Sequence, residues 1–401
     1  MNWIFLGVLL TLGGCAASTS ISCQNEHGQA VDWYILYKQP SIDDQNGLRY
    51  LYMDESTSGW VQGQYTIDDK QSAVGQTLKP LFDHYATETD TFGYILYNDQ
   101  PPPPYRTGSS SYGHSKGKNP YRTGSSSYGH SKGKNPYRTG SSSYGHSKGK
   151  KLTCREQAPS AQLVEQDASV VLMSQSTGIW LSHSTPDFPG FDIDSFWPKS
   201  GYHNGQTFIC GTYKYTAFRD IAIQLQYIHV NAFNSHIPTS FFPELQCVAR
   251  KGCFPKEAPW YRQLDMTTLS GHKFVSYAKY GRAHDDLYSD VLDKYLGSEF
   301  YAKGWGRLRR PLPSNCSVPN YVYNVESVQL PTTEPFSVTV DHSKWCVTVD
   351  KSPRPWTCIA DMNREVSQES RGGGAVCTDN AAVWKAFSSV VFTYEPCPGA
   401  N

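Results

Sequence analysis

A block of tandem repeats interrupts the sequence and limits which residues can build the fold. Residues 105–150 hold two full copies of the 16-residue unit YRTGSSSYGHSKGKNP and a third copy that lacks its last two residues. The unit has no aliphatic side chain, so it cannot bury a core that would offset the entropy lost on ordering. Its period is also shorter than that of ordinary solenoid repeats. We expect a disordered loop, with the fold built from the flanking segments.

The charge of the chain is unevenly distributed around this block. Residues 105–151 carry ten Lys or Arg and no acidic residue, which leaves 26 basic against 36 acidic residues elsewhere in the 401-residue chain. An acidic body argues against broad, non-specific binding of phosphate groups. The basic insert permits such binding locally.

The N-terminus has the pattern of a cleaved secretory signal. Residues 3–12 form an apolar run that is too short to span a bilayer and that ends in small residues. We predict a signal peptide over residues 1–20, although residues 12–15 also resemble a bacterial lipoprotein acylation site ending at Cys15. No other stretch is long enough for a transmembrane segment, so we expect a soluble protein that is secreted or lysosomal.

The cysteine count supports an oxidising compartment. Removal of the signal would leave ten cysteines, and an even number in a secretory chain indicates disulfides. None lies in a Cys-x-x-Cys pair, which argues against zinc, and we expect no metal and no other cofactor. Asn315 begins the only N-glycosylation sequon. The ten are Cys23, Cys154, Cys210, Cys247, Cys253, Cys316, Cys346, Cys358, Cys377 and Cys397.

Alternating β-rich and helical patterns predict a mixed α/β fold with helices covering sheets. The predicted strands lie within residues 30–40, 50–55, 92–100, 169–173, 178–183, 206–211, 273–278, 321–330 and 336–340. The predicted helices are 73–86, where Pro80 interrupts the pattern, 218–227, 285–296 and 381–391. Residues 356–358 and 371–374 look loop-like.

The segment 341–346 pairs a histidine with a lysine. Side chains alternate across a strand, so His342 and Lys344 should share one side of it. The imidazole can attack or transfer a proton, and the ammonium can hold a phosphate oxygen. The same His-Ser-Lys triplet occurs three more times, all in the repeats, at His114/Lys116, His130/Lys132 and His146/Lys148.

A set of motifs in a fixed order resembles the deoxyribonuclease II family over nearly the whole mature chain, apart from residues 105–168. The motifs are Val31-Asp32-Trp33-Tyr34, Tyr97-Asn98-Asp99-Gln100, Trp180-Leu181-Ser182-His183-Ser184, Asp285-Asp286-Leu287-Tyr288-Ser289, Pro313-Ser314-Asn315-Cys316, Asp341-His342-Ser343-Lys344-Trp345-Cys346, Asp361-Met362-Asn363-Arg364 and Arg371-Gly372-Gly373-Gly374.

The resemblance implies a phospholipase D-like architecture with two αβα halves that form a pseudo-dimer. The first half would comprise residues 21–104 and 152–245, and the second residues 246–401. It also implies metal-independent, acid-favoured cleavage of DNA that leaves 3′-phosphates, through a phosphohistidine on one His-x-Lys motif while the other histidine protonates the leaving oxygen. The implied disulfides are Cys23–Cys210, Cys316–Cys397 and Cys358–Cys377, and Cys247 and Cys253 could close a local loop.

The first-half motif is missing from its expected position. Counting back from the strand at residues 170–173 places Gln166 and Ala168 where the family has its histidine and lysine. One interpretation is that His146 and Lys148, in the nearest repeat, replace them. The other is that the repeats are a solvated basic loop.

Other motif residues have two interpretations each. His183 could orient a catalytic group or bind phosphate, or be a structural histidine. Asn363 could hold a lysine or a phosphate oxygen, or stabilise a loop. Asp32 and Asp99 are interpreted as strand caps.

Two functions remain after this reasoning. One is a working acid endonuclease acting on DNA. The other is a secreted, catalytically impaired paralogue that binds DNA or a host partner through its basic arm. Phospholipid hydrolysis, by analogy with the wider superfamily, is disfavoured by the nuclease-like motifs. A homodimer that frames a DNA groove is compatible with either function.

Overall fold

The computed structural model describes residues 20–42, 47–87, 89–105, 168–317 and 319–398. The predicted signal peptide, the repeats from residue 106 onward, His146, Lys148, Cys154 and Gln166 lie outside these ranges. The described chain forms two large sheets and five α-helices, which confirms the mixed α/β class. The interpretation as a phospholipase D-like pseudo-dimer, and its domain boundaries, stay predictions.

The first sheet has eight strands, all paired antiparallel. Their spatial order is β10-β6-β7-β8-β9-β3-β4-β5. The strands are β3 Trp33–Lys38, β4 Tyr50–Asp54, β5 Val61–Gln62, β6 Phe92–Asn98, β7 Ala168–Ser174, β8 Thr177–His183, β9 Gln206–Lys214 and β10 Ala232–His236, preceded by a small hairpin of β1 Cys23–Gln24 and β2 Ala30–Val31.

The second sheet has nine strands. Their order is β11-β12-β18-β17-β16-β13-β14-β15, with β19 also paired to β14 and with β13 and β14 parallel. The strands are β11 Tyr261–Thr267, β12 Lys273–Lys279, β13 Phe300–Lys303, β14 Val322–Val328, β15 Phe336–Ser337, β16 Trp345–Thr348, β17 Thr357–Ala360, β18 Gly373–Thr378 and β19 Val391–Tyr394.

Three helices lie close to their predicted positions, at Ala73–His84, Phe218–Ile228 and Ala381–Ser388, whereas the helix Pro243–Ala249 was not predicted. Pro80 is accommodated inside α1, and the predicted helix at 285–296 is a π-helical segment, Leu287–Leu292, that continues into α4. The side chain of Asp286 caps that segment by accepting from the Ser289 amide. The helices are α1 Ala73–His84, α2 Phe218–Ile228, α3 Pro243–Ala249, α4 Asp293–Leu296 and α5 Ala381–Ser388.

Strand β3 shows how the layers are assembled. Ile35 and Tyr37 pack into a central core that contains residues of both sheets and of α2 and α5. Tyr34 and Leu36 point the other way, into a core that also includes α1. This alternation is the period of two expected for a strand buried on both faces. It carries Tyr37 towards the second sheet.

The loop predictions for residues 356–358 and 371–374 were partly wrong. Residues 356, 371 and 372 lie outside strands, but 357–358 and 373–374 belong to the buried strands β17 and β18. These strands are paired in register and joined by the Cys358–Cys377 disulfide. The glycines serve close packing, since a Cβ at Gly374 would lie 2.5 Å from the Tyr277 carbonyl oxygen. Glycine therefore signals a tight strand contact here and not a turn.

Disulfides also join Cys23 to Cys210, Cys316 to Cys397 and Cys247 to Cys253. Cys346 is buried and forms no disulfide with another described cysteine, and Cys154 lies outside the described residues. Its neighbour across the strand pair is Cys358, which is already bonded to Cys377. Burial raises the pKa of the Cys346 thiol, which makes it unreactive.

Candidate active site

The segment around His342 joins the second sheet to the first. The His342 amide donates to the Gly205 carbonyl at 2.8 Å, and the Gly205 amide donates to the Val340 carbonyl at 2.9 Å. A Cβ at Gly205 would lie 2.5 Å from Asp341 Oδ1, so glycine permits this approach. The start of β9 and the His-x-Lys motif are thereby held side by side.

The motif itself is not part of a strand, which corrects our prediction. Residues 338–340 form a 3₁₀ turn, and β16 begins only at Trp345. The backbone amide of His342 donates to Gly205, which immediately precedes β9 of the other sheet. The two side chains still meet, because Lys344 Nζ donates to the His342 carbonyl at 2.9 Å and lies beside the ring, 3.3 Å from Nδ1 and 3.4 Å from Nε2.

The ring of His342 has a defined tautomer. Its Nδ1 lies 2.7 Å from the Ser184 carbonyl oxygen, which can only accept, so Nδ1 carries the hydrogen. In the neutral ring, Nε2 then holds the lone pair. The edge of Trp305 packs against the imidazole with the ring centroids 5.0 Å apart. The ring is therefore positioned with its basic nitrogen directed away from Ser184.

A buried charge cluster holds the backbone on either side of His342. Lys303 Nζ lies 3.0 Å from Asp341 Oδ2, with both side chains fully buried, and it also donates to the Ser343 carbonyl at 2.9 Å. The Tyr37 hydroxyl donates to Asp341 at 2.5 Å across the sheets. Burial raises the pKa of Asp341, but Lys303 and Tyr37 outweigh it and hold that pKa below its usual value. Burial lowers the pKa of Lys303 to about 8.

Three buried lysines share one structural role. Lys38, Lys279 and Lys303 are each the last residue of a strand, and each ammonium binds backbone carbonyls of a neighbouring loop. The roles of Lys279 and Lys303 were not predicted from the sequence. A lysine that ends an aromatic-rich strand, as in Tyr277-Ala278-Lys279 and Tyr301-Ala302-Lys303, was the available signal.

His183 has the opposite tautomer to His342. Its Nδ1 accepts from the Thr185 amide at 3.2 Å, which leaves the hydrogen of the neutral ring on Nε2. That Nε2 is buried and has no hydrogen-bond partner among the described residues. Phe208 stacks on the ring and Phe188 meets it edge-on. Burial lowers the pKa of His183 to about 3, so the ring stays neutral in mild acid.

Among the described residues, the strand position opposite His183 carries no cation. Ala168 is the first residue of β7 and lies directly opposite His183 in the strand pairing. Side chains in such pairs are close neighbours, so a lysine at residue 168 would reach this histidine.

Asn363 is oriented by the backbone next to Trp305. Its Oδ1 accepts from the Trp305 amide at 2.8 Å, so its Nδ2 points elsewhere. Both Asn363 Nδ2 and the Trp305 indole nitrogen are buried donors with no partner in the described part of the chain. Trp305, which the sequence analysis missed, therefore links Asn363 to His342.

The remaining candidates lie away from this cluster of side chains. Asp32 accepts from the Ser270 amide at 2.7 Å and from the Thr268 hydroxyl, which ties β3 to the β11–β12 turn. The Asn315 side chain is half-buried and accepts from the Ser317 amide at 3.0 Å. In the residues described, His, Cys, Asp and Glu do not form a group of three or more suited to a metal ion. No helix within those ranges is long and apolar enough to cross a membrane.

Comparison with known proteins decides the family. The family model for deoxyribonuclease II matches residues 22–397. The chain belongs to the deoxyribonuclease II family. It is 35% identical to deoxyribonuclease-2-alpha of Sus scrofa over 95% of this chain and 92% of that protein. It is 32% identical to human deoxyribonuclease-2-beta over 98% and 95%, and 31% identical to plancitoxin-1 of Acanthaster planci over 97% and 96%.

Proposed function

We propose that this deoxyribonuclease II-like protein is an acid endonuclease that hydrolyses DNA phosphodiesters without a metal and leaves 3′-phosphates. The observation that carries the proposal is the fixed tautomer of His342. The Ser184 carbonyl takes the Nδ1 hydrogen at 2.7 Å, so Nε2 holds a lone pair beside the Lys344 ammonium. A positioned, unprotonated nitrogen next to a cation suits attack on a phosphate ester.

In the proposed reaction, His342 Nε2 attacks phosphorus and the bond to the 5′-oxygen of the next nucleotide breaks. The intermediate is a phosphohistidine that carries the 3′-phosphate end, and water then displaces His342. Lys344 stabilises charge on the non-bridging oxygens, and Asn363 Nδ2 donates to one of them. His183, neutral in mild acid, contributes its Nε2 hydrogen as a hydrogen-bond donor.

The proton for the leaving oxygen needs a second group. We assign this role to His146, with Lys148 as its cation, because the neutral His183 is a poor acid. Free imidazole titrates near pH ~6.5, so an acidic compartment would protonate such a histidine. Four disulfides fit a lysosomal or secreted protein, and we infer that the predicted signal directs it there and that Asn315 is glycosylated.

Plasmid nicking at about pH 5 in the presence of a chelator tests the proposal. The wild-type protein should nick, and His342→Ala and His146→Ala should each abolish or strongly reduce nicking. Pure wild-type protein that does not nick would overturn the nuclease proposal. Nicking that survives His146→Ala would exclude His146 as the general acid. His114→Ala and His130→Ala would then be tested in the same way.

Ala168 favours a second candidate, a catalytically impaired paralogue that binds DNA or a host partner. The position opposite His183 has no cation, and a basic block remains elsewhere in the chain. For this function, deletion of residues 105–150 should weaken DNA binding and flatten its salt dependence, because fewer counterions are released. An unchanged salt slope would exclude the basic block as the DNA-binding arm. A homodimer is compatible with both candidates, and sedimentation velocity would test it.

A further inference from the structure

A buried glutamine lies beside the residues that hold His342. Gln206 is the first residue of β9 and follows Gly205, whose carbonyl accepts from the His342 amide. Its side chain is fully buried, and its Nε2 has no hydrogen-bond partner among the described residues. A buried amide nitrogen without a hydrogen-bond partner destabilises the folded protein, so a glutamine here calls for a functional explanation.

The orientation of the Gln206 amide follows from Ser184. The Ser184 hydroxyl accepts from the Thr207 amide at 3.0 Å and lies 2.6 Å from Gln206 Oε1. Because the hydroxyl has one hydrogen to give and already accepts from Thr207, it donates to Oε1. The Nε2 group of Gln206 is therefore the end that faces away from Ser184.

Ser184 connects Gln206 to the proposed nucleophile. Its carbonyl accepts from His342 Nδ1, and its hydroxyl orients Gln206. One residue thus sets both the tautomer of His342 and the direction of the amide. Asn363 shows a parallel arrangement from the second sheet, where Trp305 contacts His342 and its amide fixes Asn363 Oδ1.

Gln206 and His183 present their donors on the same face of the first sheet. His183 is paired with Phe208 in the register of β8 and β9, so Gln206, two residues before Phe208, is its diagonal neighbour. Diagonal neighbours on one face lie within reach of long side chains. Both present a buried N–H group that no described residue accepts.

We infer that Gln206 is a substrate-binding residue whose Nε2 donates to a non-bridging oxygen of the scissile phosphate. Together with His183, it supplies from the first half the neutral hydrogen bonds that compensate for the cation missing at Ala168. Ser184 is the positioning residue. The inference rests on the proposed function, since it assigns Gln206 to the phosphate that His342 attacks.

Calorimetric titration with inorganic phosphate at pH 5 tests the inference without relying on activity. Gln206→Glu keeps the acceptor for Ser184 but replaces the donor with a carboxylate oxygen, and it should weaken phosphate binding at least about tenfold. Gln206→Met removes the donor without adding charge, should weaken binding by several-fold, and serves if the Glu variant does not fold. Gln263→Glu, an exposed substitution with the same charge change, should bind phosphate as the wild type does.

Ser184→Ala separates positioning from structure. This variant keeps the carbonyl that holds His342 and removes the hydroxyl that binds both Gln206 Oε1 and the Thr207 amide. Phosphate affinity should fall about threefold, and the melting temperature should also fall because two buried groups lose their partner. A lower melting temperature with an unchanged phosphate affinity would overturn the assignment of Ser184 as the positioning residue.

Two results would overturn the role of Gln206. One is phosphate affinity within twofold of the wild type in both Gln206→Glu and Gln206→Met, and the other is a wild-type protein that binds no phosphate. Plasmid nicking measured in parallel distinguishes this outcome from failure of the proposed function. The protein could bind phosphate in a way that depends on Gln206 and yet fail to nick plasmid DNA. That result would support the role of Gln206 and overturn the nuclease proposal.

Discussion

The two sides of the candidate site use different chemistry. The second sheet side supplies His342, with a lone pair on Nε2, and the Lys344 ammonium beside it. The first sheet side supplies neutral donors, His183 and Gln206, and has alanine at residue 168. The first sheet side thus presents buried hydrogen-bond donors at the place where the second sheet side presents a histidine and a cation. Substitutions on the two sides should therefore reduce plasmid nicking to very different extents.

Replacing each histidine with glutamine is expected to give the largest effect. Glutamine can donate a hydrogen bond but cannot form a phosphohistidine. His342→Gln should reduce plasmid nicking by about 10⁴-fold or more, and His183→Gln by about 10²-fold, the cost of one misplaced donor. Initial nicking rates at pH 5 measure both. Equal losses in the two variants would contradict the division of roles.

The buried cation next to the motif should matter for stability. Lys303→Met leaves the Asp341 carboxylate buried without its partner, and it should lower the free energy of unfolding by about 3–5 kcal/mol. Urea denaturation measures this. As a control, Lys70→Met breaks the exposed pair with Asp194 and should cost less than about 1 kcal/mol.

The double variant Lys303→Met/Asp341→Asn should regain part of the loss, because it removes the unpaired charge. A Lys303→Met protein as stable as the wild type would show that the cluster does not hold the motif in place.

Restoring the family's residues should make the two sides more alike. In a His146→Ala background, which lacks the proposed acid, the variant Gln166→His/Ala168→Lys adds an imidazole and places a lysine opposite His183, and nicking should rise by about 10²-fold because general acid catalysis is supplied again. Ala168→Met is the control for side-chain size. An unchanged rate in this background would contradict the idea that residues 166 and 168 can supply the acid and the cation.

The neutral state of His183 predicts a pH dependence of stability. Its folded pKa is about 3 and its unfolded pKa is near ~6.5, so between these values only the unfolded chain takes up the proton. Stability should therefore fall as the pH is lowered through this window, by about 2 kcal/mol from this residue between pH 6.5 and 5. His183→Gln should remove that part of the slope.

Urea denaturation at several pH values measures the slope, with His27→Gln as an exposed control. If the unfolding free energy of His183→Gln depended on pH as steeply as that of the wild type, His183 would have to be protonated in the folded state. Its role as a neutral donor would then fail.

Much of the fold could be predicted because its strands are apolar runs with clear ends. Strands β6, β7 and β8 lie where the pattern places them, since both faces are buried and the turns between or after them are polar. The prediction failed at Gly373 and Gly374, where glycine permits a close strand contact that a local pattern cannot distinguish from a turn.

The site was predicted only in part. The proximity of His342 and Lys344 was predicted on the wrong basis, because the motif does not lie in a strand. It is held by Gly205 and Ser184, which flank strands of the other sheet. Lys303 acts through Asp341, 38 positions away, and Trp305 contacts His342, 37 positions away. Gln206 is oriented by Ser184, 22 positions away, and its Nε2 has no partner among the described residues. Such contacts leave no signal in a single sequence.

The most direct test of the central claim is detection of the covalent intermediate. The protein would react with a short DNA duplex at pH 5, be quenched in alkali, and be digested for peptide mass spectrometry. The account predicts a 3′-phosphoryl nucleotide adduct on His342 that is absent from His342→Gln. DNA cleavage without an adduct, or with the adduct on His183 or a repeat histidine, would contradict it.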